Sequence, residues 1–392
     1  MLKQEEPKLQ KIDQYLPKNI ILPGDLHLQP MQRKNKVGLL KTLRCLGTLR
    51  WQLKKQGQYI KQHLPPLLDT LAAGQQQQFS AGTIKRVTKY WELSLLVICN
   101  SLYKLNGKQL NAAEQHRILL LSIFGPLYDD LFDDKILSHE QIAAFTLEPA
   151  QHTPASFEEY VLKEIYLQLL ELSPDSKKVK EHLYQVFLWQ KESLKQMSPD
   201  VGREELYEIT YKKSYYSILL AYSILDHYPN DAVLEMTYPM AGLLQLTNDA
   251  FDVYKDVHSG IYTIPNLYRN FDHLQQHFMN EVALFNQRLM QLPFMQQAKD
   301  YYSITIHALH AMGWIAMEQL KETTRDVNSV EELATLSRQA LVCDMDHISQ
   351  QVRWIRQVKY LVNHQASAAM LLSSSSVVST VANSSCKVAS ES

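Results

Sequence analysis

Two acidic clusters contain the residues of this sequence that are best suited to chemistry. The first follows an apolar run, in ILLLSIFGPLYDDLFDDK, and consists of Asp129, Asp130, Asp133 and Asp134. Asp129 and Asp133 are four residues apart, as are Asp130 and Asp134, so each pair projects from one side of a helix. Neighbouring carboxylates repel one another unless a cation neutralises them, and a hard divalent ion prefers oxygen ligands. The spacing therefore predicts a divalent metal site.

The second cluster lies within AGLLQLTNDAFDVYKD. Asn248, Asp252 and Asp256 follow at intervals of four residues, and each interval turns a helix only about 40° past a full circle. We expect these three side chains to share a stripe and to bind one or two metal ions through oxygen. Asp249 lies about 100° from Asn248 and is the weaker candidate. Because the surrounding residues are apolar, carboxylates without partners would be costly at this place.

The chemistry of these groups points to the loss of a diphosphate. Carboxylate and amide oxygens hold Mg²⁺, which keeps positions open for substrate phosphates. Metal ions and basic side chains stabilise the charge that develops on a departing diphosphate. The carbocation left behind must be kept from water, which requires a closed apolar cavity. Each cluster could instead be the polar face of an ordinary helix, but the two together are more specific than either alone.

Composition and periodicity predict that helices position these residues. Glycine (12 residues) and proline (15 residues) are scarce, and no alternation typical of strands competes with the helical pattern. The sequence therefore predicts an all-α protein with a single large helical bundle, in which the carbocation chemistry would need a central apolar cavity. We expect helices over 36–55, 56–72, 83–104, 109–134, 156–172, 176–197, 203–227, 231–257, 276–292, 295–322 and 330–361.

The two ends of the chain differ from this helical region. We expect a variable N-terminal arm over 1–35, a helical domain over 36–365 and a disordered serine-rich tail over 366–392. The N-terminus lacks the apolar core of a signal peptide, and no segment is apolar enough to span a bilayer. The four cysteines show no paired spacing, which is typical of a reducing compartment. These features predict a cytoplasmic protein without stable membrane insertion.

Charge is balanced overall but uneven along the chain. The formal net charge of −1 gives no indication of a nucleic-acid partner. Residues 26–68 nevertheless contain no aspartate or glutamate, and nine basic residues fall between 33 and 61. This segment is either a solvated basic face or a surface that attracts a diphosphate or an anionic membrane. Peripheral membrane association through these first helices is therefore one expectation.

The two clusters resemble the metal motifs of class I isoprenoid synthases. DDLFD (129–133) resembles the aspartate-rich DDxxD motif, and NDAFDVYKD (248–256) is similar to the terpene synthase motif N-D-x-x-S/T-x-x-x-E. Asp252 replaces the usual Ser or Thr and Asp256 replaces Glu, so both positions keep an oxygen ligand. The resemblance implies an isoprenoid synthase bundle, an allylic isoprenyl diphosphate as substrate, and up to three Mg²⁺ ions, for which Mn²⁺ can substitute.

The same resemblance suggests cations for the diphosphate. The segment EELYEITYKKSYYSILLA (204–221) resembles an isoprenyl diphosphate synthase helix that carries a Lys-Thr pair, here Lys213 and Ser214. By this resemblance Lys213 contacts the diphosphate, with Lys212 as its competitor. Arg353 and Arg356 are the nearest counterparts of an Arg-Tyr pair near the C-terminus of terpene synthases.

A terpene synthase is the leading functional hypothesis, with a prenyltransferase as the alternative. The segment 245–265 is similar to the second motif of squalene and phytoene synthases, which favours the alternative. The chain lacks the GGKxxRP-like segment and the Arg-Arg-Gly of chain-elongating synthases, which favours a cyclase with one diphosphate substrate. A third hypothesis is a catalytically silent bundle that binds an isoprenoid or a protein, but both motifs keep their acidic residues.

Overall fold

The computed structural model describes residues 35–71, 79–133, 136–267 and 270–365, which belong to one compact unit. Their secondary structure is helical and includes no strand, so the predicted all-α class is confirmed over these ranges. Within the same ranges, no helix is both long enough and apolar enough to cross a membrane. The predicted tail, and the predicted arm up to residue 34, lie outside the described residues.

The first described helix, α1 (Leu39–Leu71), runs without a break. The prediction of two helices over 36–55 and 56–72 is therefore wrong. Gly57 and the Pro65-Pro66 pair lie inside this helix, and Ile60 and Leu64 are buried like Leu46 before them. The apolar stripe continues through the glycine, and packing of that stripe outweighs the local cost of Gly and Pro.

Four further elements lead to the first acidic cluster. Helix α2 (Ala81–Glu92), a π-helical turn (Leu93–Cys99) and α3 (Asn100–Leu105) follow one another directly. Helix α4 (Ala112–Asp133) carries the first cluster in its last two turns. Packing between α2 and α4 places side chains of α2 beside that cluster.

Three helices follow α4 along the chain and precede the pair of helices that includes the second cluster. These are α5 (His139–Leu147), α6 (Phe157–Leu172) and α7 (Ser176–Glu192), with a 3-10 turn (Ser193–Met197) after α7. Asp175 accepts a hydrogen bond from the Lys178 backbone N–H at 3.0 Å, so the SPDS segment caps α7 as its composition suggests. Helix α5 was not predicted, because its nine residues show little amphipathic pattern.

The central pair of helices is α8 (Arg203–Ser223) and α9 (Asp231–His258). They approach closely where the Tyr211 ring lies on Gly242, because a Cβ atom at 242 would overlap that ring. On another side of α9, Thr247 packs against Gly313 of helix α12 (Gln296–Thr323) in the same way. Two glycines thus let α9 pack tightly between α8 and α12.

The remaining helices complete the compact unit. They are α10 (Ile264–Leu267), α11 (Phe271–Gln291), α13 (Val330–Ala334), α14 (Arg338–Leu341) and α15 (Ile348–Asn363). The single helix expected over 330–361 is wrong, because the chain leaves helical geometry after 334 and again after 341. Ser329 and Ser337 cap the short helices α13 and α14, which gives each its own start.

Candidate active site

Asp129 lies half-buried between α2 and α7, and neutral donors bind both of its carboxylate oxygens. Tyr90 Oη donates to one oxygen at 2.6 Å, and Gln190 Nε2 donates to the other at 2.7 Å. Both donors belong to helices that pack beside α4, so the tertiary fold positions this side chain. The site can therefore hold a negative charge at Asp129 even before a metal ion binds.

Asp130 is held differently, by a two-pronged ion pair with Arg86 of α2. Arg86 Nη1 and Nη2 donate to the two carboxylate oxygens at 2.7 and 2.5 Å, and Nη2 also donates to the Pro126 carbonyl oxygen at 3.3 Å. The hydrogen bonds to Asp130 raise the pKa of Arg86. The Asp133 side chain and the whole of Asp134, which the sequence paired with Asp129 and Asp130, lie outside the described residues.

The predicted stripe on α9 leads from solvent into the protein. Asn248 is exposed, Asp252 is half-buried and Asp256 is buried. Asn248 Nδ2 lies 3.5 Å from an oxygen of Asp252, at the limit of a hydrogen bond. The three side chains that the sequence singled out therefore differ in their exposure to solvent.

Asp249 is the most deeply buried carboxylate of this stretch, although the sequence ranked it as the weaker candidate. One oxygen accepts a hydrogen bond from Gln245 Nε2 at 2.8 Å, and the other has no partner within the described residues. Burial raises the pKa of Asp249 to about 7, with an opposing effect from Lys213. Asp249 and Asp256 are seven residues apart, only about 20° on a helix, and this spacing was the signal that could have identified the pair.

Asp256 shares the electrostatic environment of Asp249. Burial and the carboxylates of Asp249 and Asp252 raise the pKa of Asp256 to about 7, while Lys255 and Lys213 act in the opposite direction. Two buried carboxyls that repel each other keep their protons near neutral pH unless positive charge is supplied. This part of α9 thus has the electrostatics expected of a cation-binding site.

Lys213 and its competitor Lys212 have different surroundings on α8. Lys212 Nζ forms an ion pair with Glu208 at 2.5 Å and lies 4.5 Å from the ring centre of Trp189 on α7. Lys213 is half-buried, acts electrostatically on Asp249 and Asp256, and has no ion pair with a described residue. Lys213 is therefore the lysine left available for a negatively charged ligand at this site.

Helix α7 contacts the first acidic cluster on α4 and also contacts α8. Gln190 donates to Asp129 of α4, and the preceding residue, Trp189, covers Lys212 of α8. Just beyond α7, the carbonyl oxygen of Gln196 accepts a hydrogen bond of 2.6 Å from the Tyr262 N–H, and Gln196 Nε2 donates to the Tyr262 carbonyl at 3.2 Å. Tyr262 follows the end of α9, so the C-terminal ends of α4, α7 and α9 are joined by these contacts.

The two C-terminal arginines lie on α15. Arg353 Nη2 forms an ion pair with Glu318 of α12 at 2.6 Å, and Arg356 is exposed. Among the described contacts, neither arginine binds Asp129, Asp130 or the carboxylates of α9. Their predicted contact with a diphosphate stays a prediction.

Oxygen atoms dominate the donors available for a metal. In the part of the chain described, no group of three or more His, Cys, Asp and Glu side chains is assembled closely enough to hold an ion. The oxygen donors on α9, including one buried Asp249 oxygen without a partner, suit Mg²⁺ or Mn²⁺ better than a softer metal. Comparisons with models of protein families, with curated proteins and with solved structures found no match for this chain.

Proposed function

We propose that this protein is a class I terpene synthase, which ionises a linear allylic isoprenyl diphosphate with Mg²⁺ and cyclises or quenches the carbocation. The observation that carries the proposal is the buried pair Asp249 and Asp256 on α9, within electrostatic reach of the half-buried cation Lys213 on α8. A buried acidic pair beside a basic side chain provides both a place for divalent ions and a contact for the phosphate that these ions bind.

The residue roles follow from burial and from the existing partners. Asn248, Asp252 and Asp256 would hold metal on α9, with Asp249 added to the set, and Asp129 with Asp133 would hold metal on α4. Bound Mg²⁺, as up to three ions, or Mn²⁺, supplies the charge that stabilises the departing diphosphate. Lys213 binds the same diphosphate from α8. Asp130 and Asp134 complete the first motif, and Asp130 must exchange Arg86 for a metal to take part.

Apolar side chains near the first cluster are suited to protecting a carbocation from water. Phe132, three residues after Asp129, is buried and its ring centre lies 6.0 Å from that of Phe187 on α7. Tyr216, three residues after Lys213, is also buried. We propose that these helices enclose a central apolar cavity in an isoprenoid synthase bundle, where aromatic faces stabilise positive charge.

A prenyltransferase is the alternative, and one contact counts against it. An elongating enzyme needs basic residues for a second diphosphate, and Arg117 is the basic residue of α4, the helix that carries the first motif. Arg117 is buried and donates to the carbonyl oxygens of Ile224 and Leu172 and to Asp226. Because its guanidinium is fully engaged within the protein, a cyclase with one diphosphate substrate is favoured.

Product analysis tests the proposal directly. The full chain is incubated with MgCl₂ and each linear diphosphate from C10 to C25, with and without isopentenyl diphosphate, and the products are identified by mass spectrometry. We expect a hydrocarbon or alcohol together with released diphosphate. Elongated or fused chains would establish the transferase instead. Failure to convert any of these diphosphates, by folded protein with metal present, would refute both enzymes.

A further inference from the structure

The solvent-facing side of α1 combines apolar and basic side chains. Leu40 is 81% exposed and Trp51 is 62% exposed, although both are large and apolar. They are eleven residues apart, which places them about 20° from each other around the helix. Leu49, half a turn of the helical wheel away from Leu40, is buried. Leu40 and Trp51 therefore do not belong to the side of α1 that packs against the core.

The cations of α1 are concentrated on and beside this outer face. Lys41 points inward, where its Nζ forms an ion pair with Asp300 at 2.5 Å. The only acidic residue of α1 is Asp69, in its last turn. The other basic residues are exposed, and within the described ranges none of them forms an ion pair. They are Arg44, Arg50, Lys54, Lys55 and Lys61.

We propose that the outer face of α1 binds the surface of a lipid bilayer that carries anionic headgroups. Unpaired cations are attracted to such a surface, while Trp51 and Leu40 enter the interfacial region that amphipathic aromatic and aliphatic side chains prefer. The long stems of the lysines let their charges stay at the headgroups. This inference does not depend on the proposed chemistry, because binding is measured without turnover.

Other partners would satisfy either the cations or the apolar side chains of this face, but not both. Nucleic acid would pair with the cations but would leave Leu40 and Trp51 in water. A neutral bilayer would accept the apolar side chains but would leave the cations without counter-charge. A symmetric contact with a second copy would place the same basic face against itself, which like charges oppose. Anionic lipid is the partner that satisfies both components.

An apolar groove continues this face along α1. It has a volume of about 740 Å³ and is lined mostly by apolar side chains of α1, α2 and α6, with Lys54 and Lys61 on α1 and the polar residues Gln58, Asp69, Thr88 and Glu92. Ile60, Leu64 and Phe157 are among these apolar side chains. The two lysines thus belong both to the basic face and to the groove, so a hydrocarbon chain of a bound lipid has space beside its headgroup.

Flotation with lipid vesicles tests the proposal on the full chain. We expect the protein to float with vesicles of phosphatidylcholine containing 30% phosphatidylglycerol, to bind weakly to pure phosphatidylcholine, and to be released by 0.5 M NaCl. The triple variant R44Q/K54Q/K55Q should lower the partition coefficient roughly tenfold or more, because each cation contributes separately to the attraction. The matched control R325Q/R338Q/K359Q removes three exposed charges that also form no ion pair within the described ranges, and it should leave binding unchanged.

A second pair of variants tests the apolar component. The double variant L40S/W51S should weaken vesicle binding, whereas I348S, at a residue 80% exposed on α15, should not. Circular dichroism and the melting temperature verify that the variants fold. Equal loss in the α1 variants and in the controls, or no binding to anionic vesicles, would overturn the proposal.

Trp51 also reports its own depth in the bilayer. It is the most exposed of the five tryptophans, so phospholipids brominated in their acyl chains should quench its fluorescence in bound protein. Trp51→Phe should keep binding but lose this quenching. If L40S/W51S instead converts a dimer to a monomer, a second copy covers the face and the lipid assignment is wrong. The assignment is also wrong if duplex DNA displaces the protein from the vesicles and only the variants that lack cations lose DNA binding.

Discussion

Arg86 occupies both carboxylate oxygens of Asp130, at 2.7 and 2.5 Å, in the geometry that a metal ion would otherwise exploit. The negative charge of Asp130 is thereby compensated by a side chain of the protein itself. Binding of a metal at Asp130 and pairing with Arg86 are competing states of the same carboxylate. If Asp130 binds metal as proposed, Arg86, which the sequence did not single out, controls how strongly the first cluster binds it.

Replacing Arg86 by glutamine should therefore increase the response to Mg²⁺. We expect Arg86→Gln to lose about 1 kcal/mol or less of stability without metal, because the ion pair is exposed. The rise in melting temperature on adding MgCl₂ should be larger than in the wild type. Thermal shift across a MgCl₂ titration measures both effects. Lys321→Gln, which breaks the ion pair with Asp272, is the control, and an unchanged Mg²⁺ response in R86Q would exclude Asp130 as a ligand.

Asp252 should be required for turnover. Asp252→Ala removes a half-buried oxygen from the α9 stripe, and we expect the rate to fall more than tenfold, that is, by more than about 1.4 kcal/mol of transition-state stabilisation. Asp200→Ala changes an exposed aspartate outside the helices and should leave the rate unchanged. Steady-state kinetics with excess Mg²⁺ measures the difference. Full activity of the wild type in excess chelator would contradict the metal role altogether.

The neighbouring lysines of α8 provide a matched pair of variants. Lys213→Ala should lower turnover at least tenfold, because the proposed contact with the diphosphate would strengthen as negative charge develops. Lys212→Ala should have a much smaller effect, since Lys212 is engaged by Glu208 and Trp189. The Mg²⁺-dependent thermal shift should persist in both variants. Equal losses of turnover would show that neither lysine has the specific role assigned to Lys213.

The stability of the metal-free protein should depend on pH through α9. The pKa values of Asp249 and Asp256 are raised to about 7, above the ordinary value of 3.8, so the folded state binds protons more tightly than the unfolded chain. The free energy of unfolding should consequently fall as pH rises from about 4 to 7, by at most about 1.4 kcal/mol per unit for each group. Urea denaturation in chelator at several pH values measures this slope.

Asp249→Asn provides the control for that slope. The variant cannot ionise at 249, so it should be more stable than the wild type at pH 8 and should lose part of the fall between pH 4 and 7. A wild-type profile that stays flat, or a variant whose profile is identical to it, would contradict the assignment of the slope to this pair.

The contact between α8 and α9 should tolerate no side chain at 242. Gly242→Ala places a methyl group within the Tyr211 ring, and we expect a loss of about 1 to 3 kcal/mol in the free energy of unfolding. Gly47→Ala introduces the same methyl group on the exposed side of α1 with open space around it, and should stabilise by about 0.5 to 1 kcal/mol. Equal effects at both positions would show that the close packing does not determine the outcome.

Residue spacing alone predicted the helices that carry the two clusters, because periodicity of apolar residues is a local signal. It did not predict the partners of these clusters. Arg86 is 44 residues from Asp130, and Gln190 is 61 residues from Asp129, so only the packing of α2 and α7 against α4 brings them together. Burial of Asp249 likewise depends on its neighbours in space. The angle between Asp249 and Asn248 on a helix, which was the basis of the prediction, contains no information about those neighbours.

The paired hydrogen bonds between Gln196 and Tyr262 close a loop of 66 residues that contains the whole of α8 and α9. The closure fixes Tyr262, which follows α9, beside the turn that precedes α8. The segment should therefore open as one cooperative unit rather than fraying from its ends. In hydrogen exchange followed by mass spectrometry, the amide of Tyr262 should exchange as slowly as amides inside α9, although it lies outside any helix.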